Sequence, residues 1–518
     1  MVKRIIPLIL LLLGACCTVF AAKNVFVQQK RNSTFSQPSK TDVTPKKDSA
    51  PAQSSNYLTF TAEVDGSTFG ISYTAKRPIK SWLVDANGVV SETIDTTFAE
   101  PLDAQYSLDN GQTWIDFKNG ESVTLGKKGD KALMKGENQM SGFSTPYREV
   151  RFIMTGSIAA SGSVMSLIDG KGETKAIPEL SWGCFSSLFR GCTSLTKAPQ
   201  LPATKLGKGC CYKEMFDSCT SLTLAPTLPA SKLVFKCYEG MFEGCTNLTQ
   251  APQLPATQLE NSCYSRMFSQ CTSLTQAPAL PATTLADNCY VLMFEGCTSL
   301  TQAPALPATK LSWNCYAHMF EGCSSLTQAP DLPATTLESS CYNRMFSKCT
   351  SLTQAPALPA TTMEELCYSY MFDSCTSLTQ APALPATALS EKCYLGMFYD
   401  CTSLTEAPQL PATTLMNNCY NKMFAGCTSL TQAPDLPATK LAKWSYREMF
   451  LGCANLSSIK VNFINWGKQY RDAIEGMKWD TDSWVSDVAP SGTFICPDVL
   501  QKVYGANKIP KGWKIGKN

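Results

Sequence analysis

The sequence predicts a solenoid of stacked repeats preceded by a small antiparallel β-domain. The dipeptide Cys-Tyr begins at nine positions 26 residues apart, from Cys211 to Cys419, and Met-Phe recurs at the same step as far as Phe450. The motif Leu-Thr-x-Ala-Pro-x-Leu-Pro occurs ten times between Leu195 and Pro437. Both motifs lose residues at the ends of the array, as expected of terminal repeats that cap a stack.

The first residues are typical of an export signal, which we predict to span residues 1–22. Lys3 and Arg4 precede an apolar run that is too short to cross a bilayer. Two processing hypotheses remain open: cleavage by an ordinary signal peptidase at Ala21 or Ala22, or attachment of a lipid to Cys16 in a lipobox-like Leu-Gly-Ala-Cys. Both predict an exported protein, at the cell surface (the outer membrane) or secreted, with membrane contact only through the lipid.

Two segments separate this signal from the repeats. Residues 23–56 are rich in Ser, Thr, Lys, Gln and Pro. They bury too little apolar surface to offset their ordering entropy, so we expect a flexible linker. Residues 57–165 alternate apolar and polar side chains, as in YLTFTAEV, and carry Asn110-Gly111 between two such runs. This pattern predicts antiparallel strands, a hairpin at Asn-Gly and a β-sandwich-like domain.

Residues 166–460 fit the leucine-rich-repeat template, with one residue inserted at the proline and Thr in the usual Asn position. The predicted fold is therefore a leucine-rich-repeat solenoid of 26-residue repeats, with short parallel strands and short convex helices. The prolines lack an N–H and limit each strand to a few residues. In the unit that begins at Thr272, we expect four inward side chains, those of Leu274, Ala277, Leu280 and Leu285.

The segment LADNCYVLMFEGC predicts the convex helix. Asp287 or Asn288 is placed to cap its start, Cys289 and Met293 share a face at i and i+4, and Gly296 is placed to end it. The tail, residues 461–518, is predicted to form a small C-terminal cap module.

The repeat resembles those of BspA-like leucine-rich-repeat surface proteins of the Bacteroides type, whose units carry the pattern AFxxCxxLxxIxIP. Met293-Phe294 stands where the family has Ala-Phe, Cys297 where it has Cys, and Leu300 where it has Leu. The resemblance covers residues 166–460. It implies a bacterial cell-surface or secreted adhesion protein that binds host matrix proteins or other surface proteins. The proline-containing unit departs from the family pattern, so no specific ligand is carried over.

The composition argues against several other functions. The 45 basic and 42 acidic residues nearly cancel, which argues against a nucleic-acid partner. The chain has one histidine, His318, so no Ser-His-Asp or Cys-His set can form, and acidic residues fall in variable positions of the repeat. We predict no enzyme activity, no catalytic residue, no metal and no cofactor. His318 is interpreted as a solvated helix residue.

Most of the 25 cysteines form two columns, with members eight residues apart in each unit, such as Cys289 and Cys297. Zinc ligands are usually two to four residues apart, so this spacing argues against a metal site. Disulfides remain an alternative in an exported protein. We favour free, buried thiols, because Ser445 replaces the first cysteine in the last full repeat while Cys453 remains.

The outward Thr that follows the first Leu of each unit, with the Gln beside it in most units, forms the candidate binding face, hereafter the Thr–Gln face. Its residues are Thr249, Gln250, Thr275, Gln276, Thr301, Gln302, Thr327, Gln328, Thr353, Gln354, Thr379 and Gln380. Such a long neutral polar face suits a protein, a glycan or a second copy of the chain. Hydrogen bonding along the stack is an alternative, purely structural role. The competing functional hypothesis is a structural spacer that displays the N-terminal β-domain.

Overall fold

A computed structural model describes residues 56–75, 79–84, 90–95, 102–139, 142–145, 148–172, 179–472 and 476–517. These residues belong to one compact unit, 51–518. The predicted export signal, with Cys16, Ala21 and Ala22, and the predicted linker up to residue 55 lie outside the described residues. In the described part of the chain, no helix has the length and apolar character needed to cross a membrane.

The described elements are sixteen strands and one helix of four residues. In chain order they are β1 Leu58–Ala62, β2 Ser67–Ala75, β3 Ile79–Val84, β4 Val90–Asp95, β5 Gln105–Ser107, β6 Ile115–Asp116, β7 Ser122–Leu125, β8 Lys131–Lys135, β9 Arg148–Thr155, β10 Ile158–Ser161, α1 Ser166–Asp169, β11 Leu195–Lys197, β12 Ser458–Lys460, β13 Gln469–Asp472, β14 Gly476–Trp479, β15 Thr493–Ile495 and β16 Lys514–Gly516.

The N-terminal region forms antiparallel sheets, as the alternating pattern predicts. One sheet has the strand order β11-β10-β1-β8-β5-β6 and a second has β7-β2-β9, while β3 and β4 pair as a hairpin. Asn110 and Gly111 both have positive φ between β5 and β6, which confirms the predicted hairpin turn. Phe60 of the first sheet packs edge to face against Phe69 and Phe152 of the second, with ring centroids 5.3 and 4.9 Å apart.

This β-domain is continuous with the first repeat. Strand β10 pairs in parallel with β11, the first Leu-Thr segment of the array. Phe152 donates a backbone hydrogen bond to Leu188 at 2.8 Å, and its carbonyl accepts one from the Cys192 thiol at 3.1 Å. The domain therefore satisfies the backbone groups that the first rung would otherwise expose, which is the requirement of a solenoid cap.

The prediction of short convex helices is wrong. Residues 287–296 form consecutive turns instead, and equivalent turns occur in the other full repeats. Asn288, Leu292 and Gly296 all have φ between 55° and 69°. A left-handed residue at every fourth position interrupts helical hydrogen bonding, and it also reproduces the i, i+4 burial pattern from which the helix was predicted.

Backbone hydrogen bonds of two kinds alternate along these turns. Met293 N–H donates to Tyr290 C=O in its own rung at 3.2 Å, closing a turn. The next residue, Phe294, donates to Met319 of the following rung at 2.9 Å, and the left-handed Leu292 donates to Ala317 at 3.0 Å. The turn segment, the nine residues from Cys-Tyr to the next Cys, thus joins each rung to its neighbour through every second N–H.

Pairing on the opposite, proline-containing side of the rung is much sparser. Gln276 and Gln302 form a single parallel bridge, as do Thr284 and Lys310, whereas continuous strands of the array occur at its ends, in β11 and β12. This agrees with the prediction that the prolines limit strand length. Of the four predicted inward side chains, Leu274, Leu280 and Leu285 are buried. Ala277 is only half-buried, because Pro278 takes the inward position.

Two ladders of stacked aromatic rings run through the core. Tyrosines from Tyr212 to Tyr446 stack with centroids 5.8–6.1 Å apart. Phenylalanines from Phe189 to Phe450 stack at 5.4–5.8 Å. Because each ring contacts its equivalent on both sides, the aromatic positions of one rung are fixed by its two neighbours.

The turn pattern continues past residue 460 into the tail. Glu448 and Phe450 donate backbone hydrogen bonds to Asp482 and Trp484, both at 2.8 Å, as though residues 480–486 were a further turn segment. Strand β12 also continues in parallel to β15 and then β16. The Trp484 ring lies against both ladders, with its centroid 6.2 Å from Phe450 and 6.4 Å from Tyr446. The tail therefore closes the second end of the stack.

Candidate binding surfaces of the solenoid

The structure brings the twelve predicted Thr and Gln residues onto one surface, and all twelve side chains are exposed. Bridges connect Gln276, Gln302, Gln328 and Gln354 to one another in sequence and then to Gln380. The column is therefore a regular array in which the same two polar groups repeat at each rung.

Only the threonines of this face hydrogen-bond along the stack. The hydroxyls of Thr249 and Thr353 donate to the Thr carbonyl of the preceding rung at 3.4 and 3.5 Å, and Thr405, one rung beyond the face, does the same at 3.3 Å. Among the described residues, the Gln side chains of the face make no such bond. Hydrogen bonding along the stack thus accounts for part of the Thr column, and only through long, weak contacts. The Gln amides remain available to a partner.

Charged side chains are concentrated on the turn segments, where they pair between rungs. Arg344 pairs with Asp373 at 3.2 Å, and Lys422 pairs with Glu448 at 3.1 Å. Each of these pairs joins neighbouring rungs. The turn side is consequently a variable, ion-paired surface, whereas the Thr–Gln face carries no charge at any of its twelve residues.

His318 is part of this ion-paired surface and lies in a turn with φ 58°, so the prediction of a solvated helix residue is wrong. Its Nδ1 lies 2.6 Å from Glu321 Oε2, and Lys348 contacts the other oxygen of that carboxylate at 3.0 Å. Burial alone would raise the pKa of Glu321, but the hydrogen bonds from His318 and Lys348 lower it to about 2. The histidine therefore holds a carboxylate of its own rung that also pairs with Lys348 of the next rung.

The 23 described cysteines are all free thiols, and all but Cys210 are buried. The two columns differ in their hydrogen bonds. Each thiol of the second column donates to the Phe carbonyl of the preceding rung, as Cys271 does to Phe242 at 3.0 Å. The series continues without a gap to Cys453, which donates to Phe424 at 3.0 Å. This hydrogen bond gives the second column a reason to keep cysteine in the last repeat.

The first cysteine column has no such series. Ser445 takes its place in the last full repeat, and its buried hydroxyl has no partner among the described residues. Burial raises the pKa of Cys315 in the first column and of Cys453 in the second to about 12. Both thiols are therefore protonated at neutral pH and are poor nucleophiles and metal ligands. No group of three or more metal-ligating side chains occurs in the part of the chain that the structure describes.

One surface feature was not predicted from the sequence, a pair of exposed aromatic rings. Trp182 and Phe235 are 38% and 39% exposed, and their ring centroids lie 6.1 Å apart. Both occupy the position two residues before the Cys-Tyr pair, or Cys-Phe in the first rung. In the other rungs this position holds Gly209, Trp313 or a polar residue, so two aromatic residues close together at it are the sequence signal that could have indicated the pair.

Comparison with known proteins gives one match. The sequence model described as the BspA type leucine rich repeat region matches the chain in six copies, over residues 185–301, 264–405 and 365–469. Together these matches span residues 185–469, more than half of the chain. No curated protein and no solved structure matches the sequence.

Proposed function

The chain belongs to the BspA-type leucine-rich-repeat family, and on that premise we propose that it is an exported, non-enzymatic surface protein that binds other macromolecules through its Thr–Gln face. The observation that carries this proposal is the exposed column of Gln amides, which repeats between rungs without forming hydrogen bonds among the described residues. Stacking alone gives no reason to keep an outward amide identical, since the backbone bridge at that position is formed by any residue.

The neutral, hydrogen-bonding character of the face supports a protein or glycan partner. Amides and hydroxyls donate and accept hydrogen bonds at once, so an extended partner that lies along the face meets the same pair of groups at each rung. A second copy of the chain would satisfy the same geometry. Export is proposed from the N-terminal sequence, and mass spectrometry of the mature N-terminus distinguishes cleavage near Ala21 or Ala22 from lipidation at Cys16.

The test measures binding of the full chain to a panel of matrix proteins and glycans, with a charged disruption of the face. The variant carries Gln302→Lys, Gln328→Lys and Gln354→Lys. Its matched control carries Thr309→Lys, Thr335→Lys and Thr361→Lys, at exposed positions of the same three units beyond the prolines. We expect the Gln variant to lose binding and the Thr control to retain it. Equal loss in both, or no binding by the well-folded parent, would contradict the proposal.

The spacer hypothesis is favoured by a different observation, the continuity of the aromatic ladders from the β-domain to Trp484. A stack of this kind holds its ends at a distance set by the number of rungs. Deleting two whole units, residues 263–314, separates the two functions. A spacer retains all binding in this deletion, whereas a binding face loses affinity because fewer rungs contact the partner.

A further inference from the structure

The exposed pair Trp182 and Phe235 forms a continuous aromatic surface, hereafter the aromatic platform. The two residues lie in the first and third rungs, and the rung between them carries Gly209 at the same position, as backbone hydrogen bonds from Gly183 to Gly209 and from Cys210 to Phe235 show. The rings are inclined by 32° and meet across this glycine with centroids 6.1 Å apart. They therefore form one surface although a whole rung separates them in sequence.

Gly209 is what lets the rings meet. A Cβ atom at this position would lie 2.9 Å from the Phe235 carbonyl oxygen and 3.1 Å from the Trp182 ring. Its φ of 145° is also one that residues with a side chain rarely adopt. Any other residue would push the rings apart, so the platform depends on a glycine that the turn hydrogen bonds alone do not require.

The indole N–H of Trp182 differs from those of the buried tryptophans. In the C-terminal module, Trp466, Trp484 and Trp513 each donate to a backbone carbonyl at 2.7–2.9 Å. Trp182 makes no hydrogen bond with the residues that the structure describes, and its ring is exposed. It thus offers a flat apolar face and a free donor side by side, a combination that suits a ligand with both C–H and oxygen groups.

The chain around the platform is locally basic although the whole sequence is nearly neutral. Residues 179–236 contain seven Lys or Arg against three Asp or Glu. Lys213 and Lys236 pair with Glu239, at 3.3 and 2.9 Å. Four further lysines of residues 179–236 are exposed and form no ion pair among the described residues, namely Lys197, Lys205, Lys208 and Lys232. An anionic ligand is therefore favoured here.

The size of the platform argues for a sugar rather than a protein. A stable protein interface covers about 800 Å² on each partner around an apolar core. The other exposed large apolar side chains of the array, Leu224, Trp313 and Met416, lie in separate rungs. Two rings match the C–H face of one or two pyranose units, whose positive edges favour the negative face of an aromatic ring.

We propose that the aromatic platform is a binding site for an acidic glycan. Sugar rings stack on Trp182 and Phe235, and carboxylate or sulfate groups meet Lys205, Lys208 and Lys232. The site lies outside the Thr–Gln face and shares no residue with it. Failure of one proposal therefore leaves the other intact.

The experiment titrates the full chain with heparin oligosaccharides and polygalacturonate oligomers, which carry sulfate and carboxylate respectively, and follows tryptophan emission and heat of binding. A neutral malto-oligosaccharide and a single-stranded oligonucleotide are the comparison ligands. We expect at least one acidic glycan to bind. No binding by either, equal binding of the neutral sugar, or tighter binding of the oligonucleotide would overturn the proposal.

The decisive variants are Trp182→Ala and Phe235→Ala, each expected to weaken binding at least about tenfold. Trp313→Ala is the matched control: it removes a ring at the same position that is 52% exposed and has no aromatic neighbour there, since Asp287 and Ser339 flank it. We expect a change of less than about twofold. If an alanine variant unfolds, Phe235→Leu keeps the apolar volume and still removes the ring. Equal effects of Trp182→Ala and Trp313→Ala would refute the site.

Discussion

The two sides of each rung differ in how the backbone and the outward side chains connect it to its neighbours. On the turn side the backbone carries the connection, because every second N–H donates to the next rung, while the outward side chains vary and form ion pairs. On the proline side the interior units form only isolated backbone bridges, such as Gln276 to Gln302, while the outward Thr is invariant and the Gln beside it recurs in seven of ten units. Side-chain identity is thus greatest where the backbone connection is weakest.

This difference shows what repetition does and does not explain. Buried positions such as Tyr290 and Phe294 repeat because each must fit equivalents on both sides. Outward positions on the turn side have no such neighbour constraint and have diverged. The Thr–Gln face is outward and has diverged less: the Thr is invariant, and Gln is replaced only by Lys197, Leu224 and Glu406 among the ten units. We infer that a partner constrains this face.

The largest expected effect tests the buried ladders that both sides share. Tyr290→Ala removes one ring from a continuous stack and should cost about 3–5 kcal/mol in the free energy of unfolding, because a cavity is left between two rungs. Tyr290→Phe should cost nothing or stabilise, because the buried hydroxyl has no partner among the described residues. Urea unfolding of both variants checks this. A loss of unfolding free energy in Tyr290→Phe would contradict this, because it would mean that the hydroxyl forms a hydrogen bond in the folded chain.

The sequence predicted the solenoid and most of its core, because a fixed period and apolar positions directly encode stacking. It could not separate helix from turn, since Cys289 and Met293 fall on one buried side in either geometry. The distinction depends on which carbonyls the N–H groups of Asn288, Leu292 and Gly296 reach, and those belong to the next rung. The aromatic platform was not predicted for a similar reason. The second rung has one extra residue before Cys211, and the sequence alone does not show that Gly209 lies between Trp182 and Phe235.

The second largest expected effect is the pH dependence of stability that Glu321 contributes on the turn side. The pKa of Glu321 lies near 2, below its ordinary value of 4.5, so its pairing with His318 and Lys348 stabilises the fold fully above about pH 5. This contribution is lost as the pH falls through 2, because the carboxylate then becomes protonated in the folded chain too. Lys348 is 60% exposed, and we discount the effect to about 1–2 kcal/mol.

Unfolding of the parent and of Glu321→Gln between pH 7 and pH 2 measures this contribution. We expect the two curves to differ at neutral pH and to converge in acid. A difference that does not depend on pH would mean that the pair adds no charge-dependent stability.

The two cysteine columns should respond differently to the same change. Cys323→Ala removes a thiol that donates to the Phe294 carbonyl at 3.1 Å, whereas Cys315→Ala removes no such hydrogen bond among the described residues. We expect Cys323→Ala to cost about 1 kcal/mol more, the usual worth of one buried hydrogen bond. Paired urea titrations give the difference directly. Equal costs would mean that both columns act only by filling space.

A smaller effect distinguishes turn from helix. Leu292 has φ 57°, a conformation that costs a residue with a side chain about 1–2 kcal/mol. Leu292→Gly should therefore stabilise the chain by about 0.5 kcal/mol after the entropy of glycine is counted. The neighbouring Val291→Gly should destabilise it, since φ is not positive there. In a helix both changes would destabilise the chain by about 1 kcal/mol. A stabilising Leu292→Gly in urea unfolding would therefore indicate the turn, and a destabilising one would indicate a helix.

The smallest expected effect on stability tests the central claim, that the Thr–Gln face is kept for a partner and not for the stack. The measurement is the unfolding free energy of the triple variant Gln302→Ala, Gln328→Ala and Gln354→Ala, compared with the parent. We predict a change below about 0.5 kcal/mol per site, as for ordinary surface positions, with the array otherwise unaltered. A loss of several kcal/mol would contradict the account, because the Gln column would then be part of what holds the rungs together.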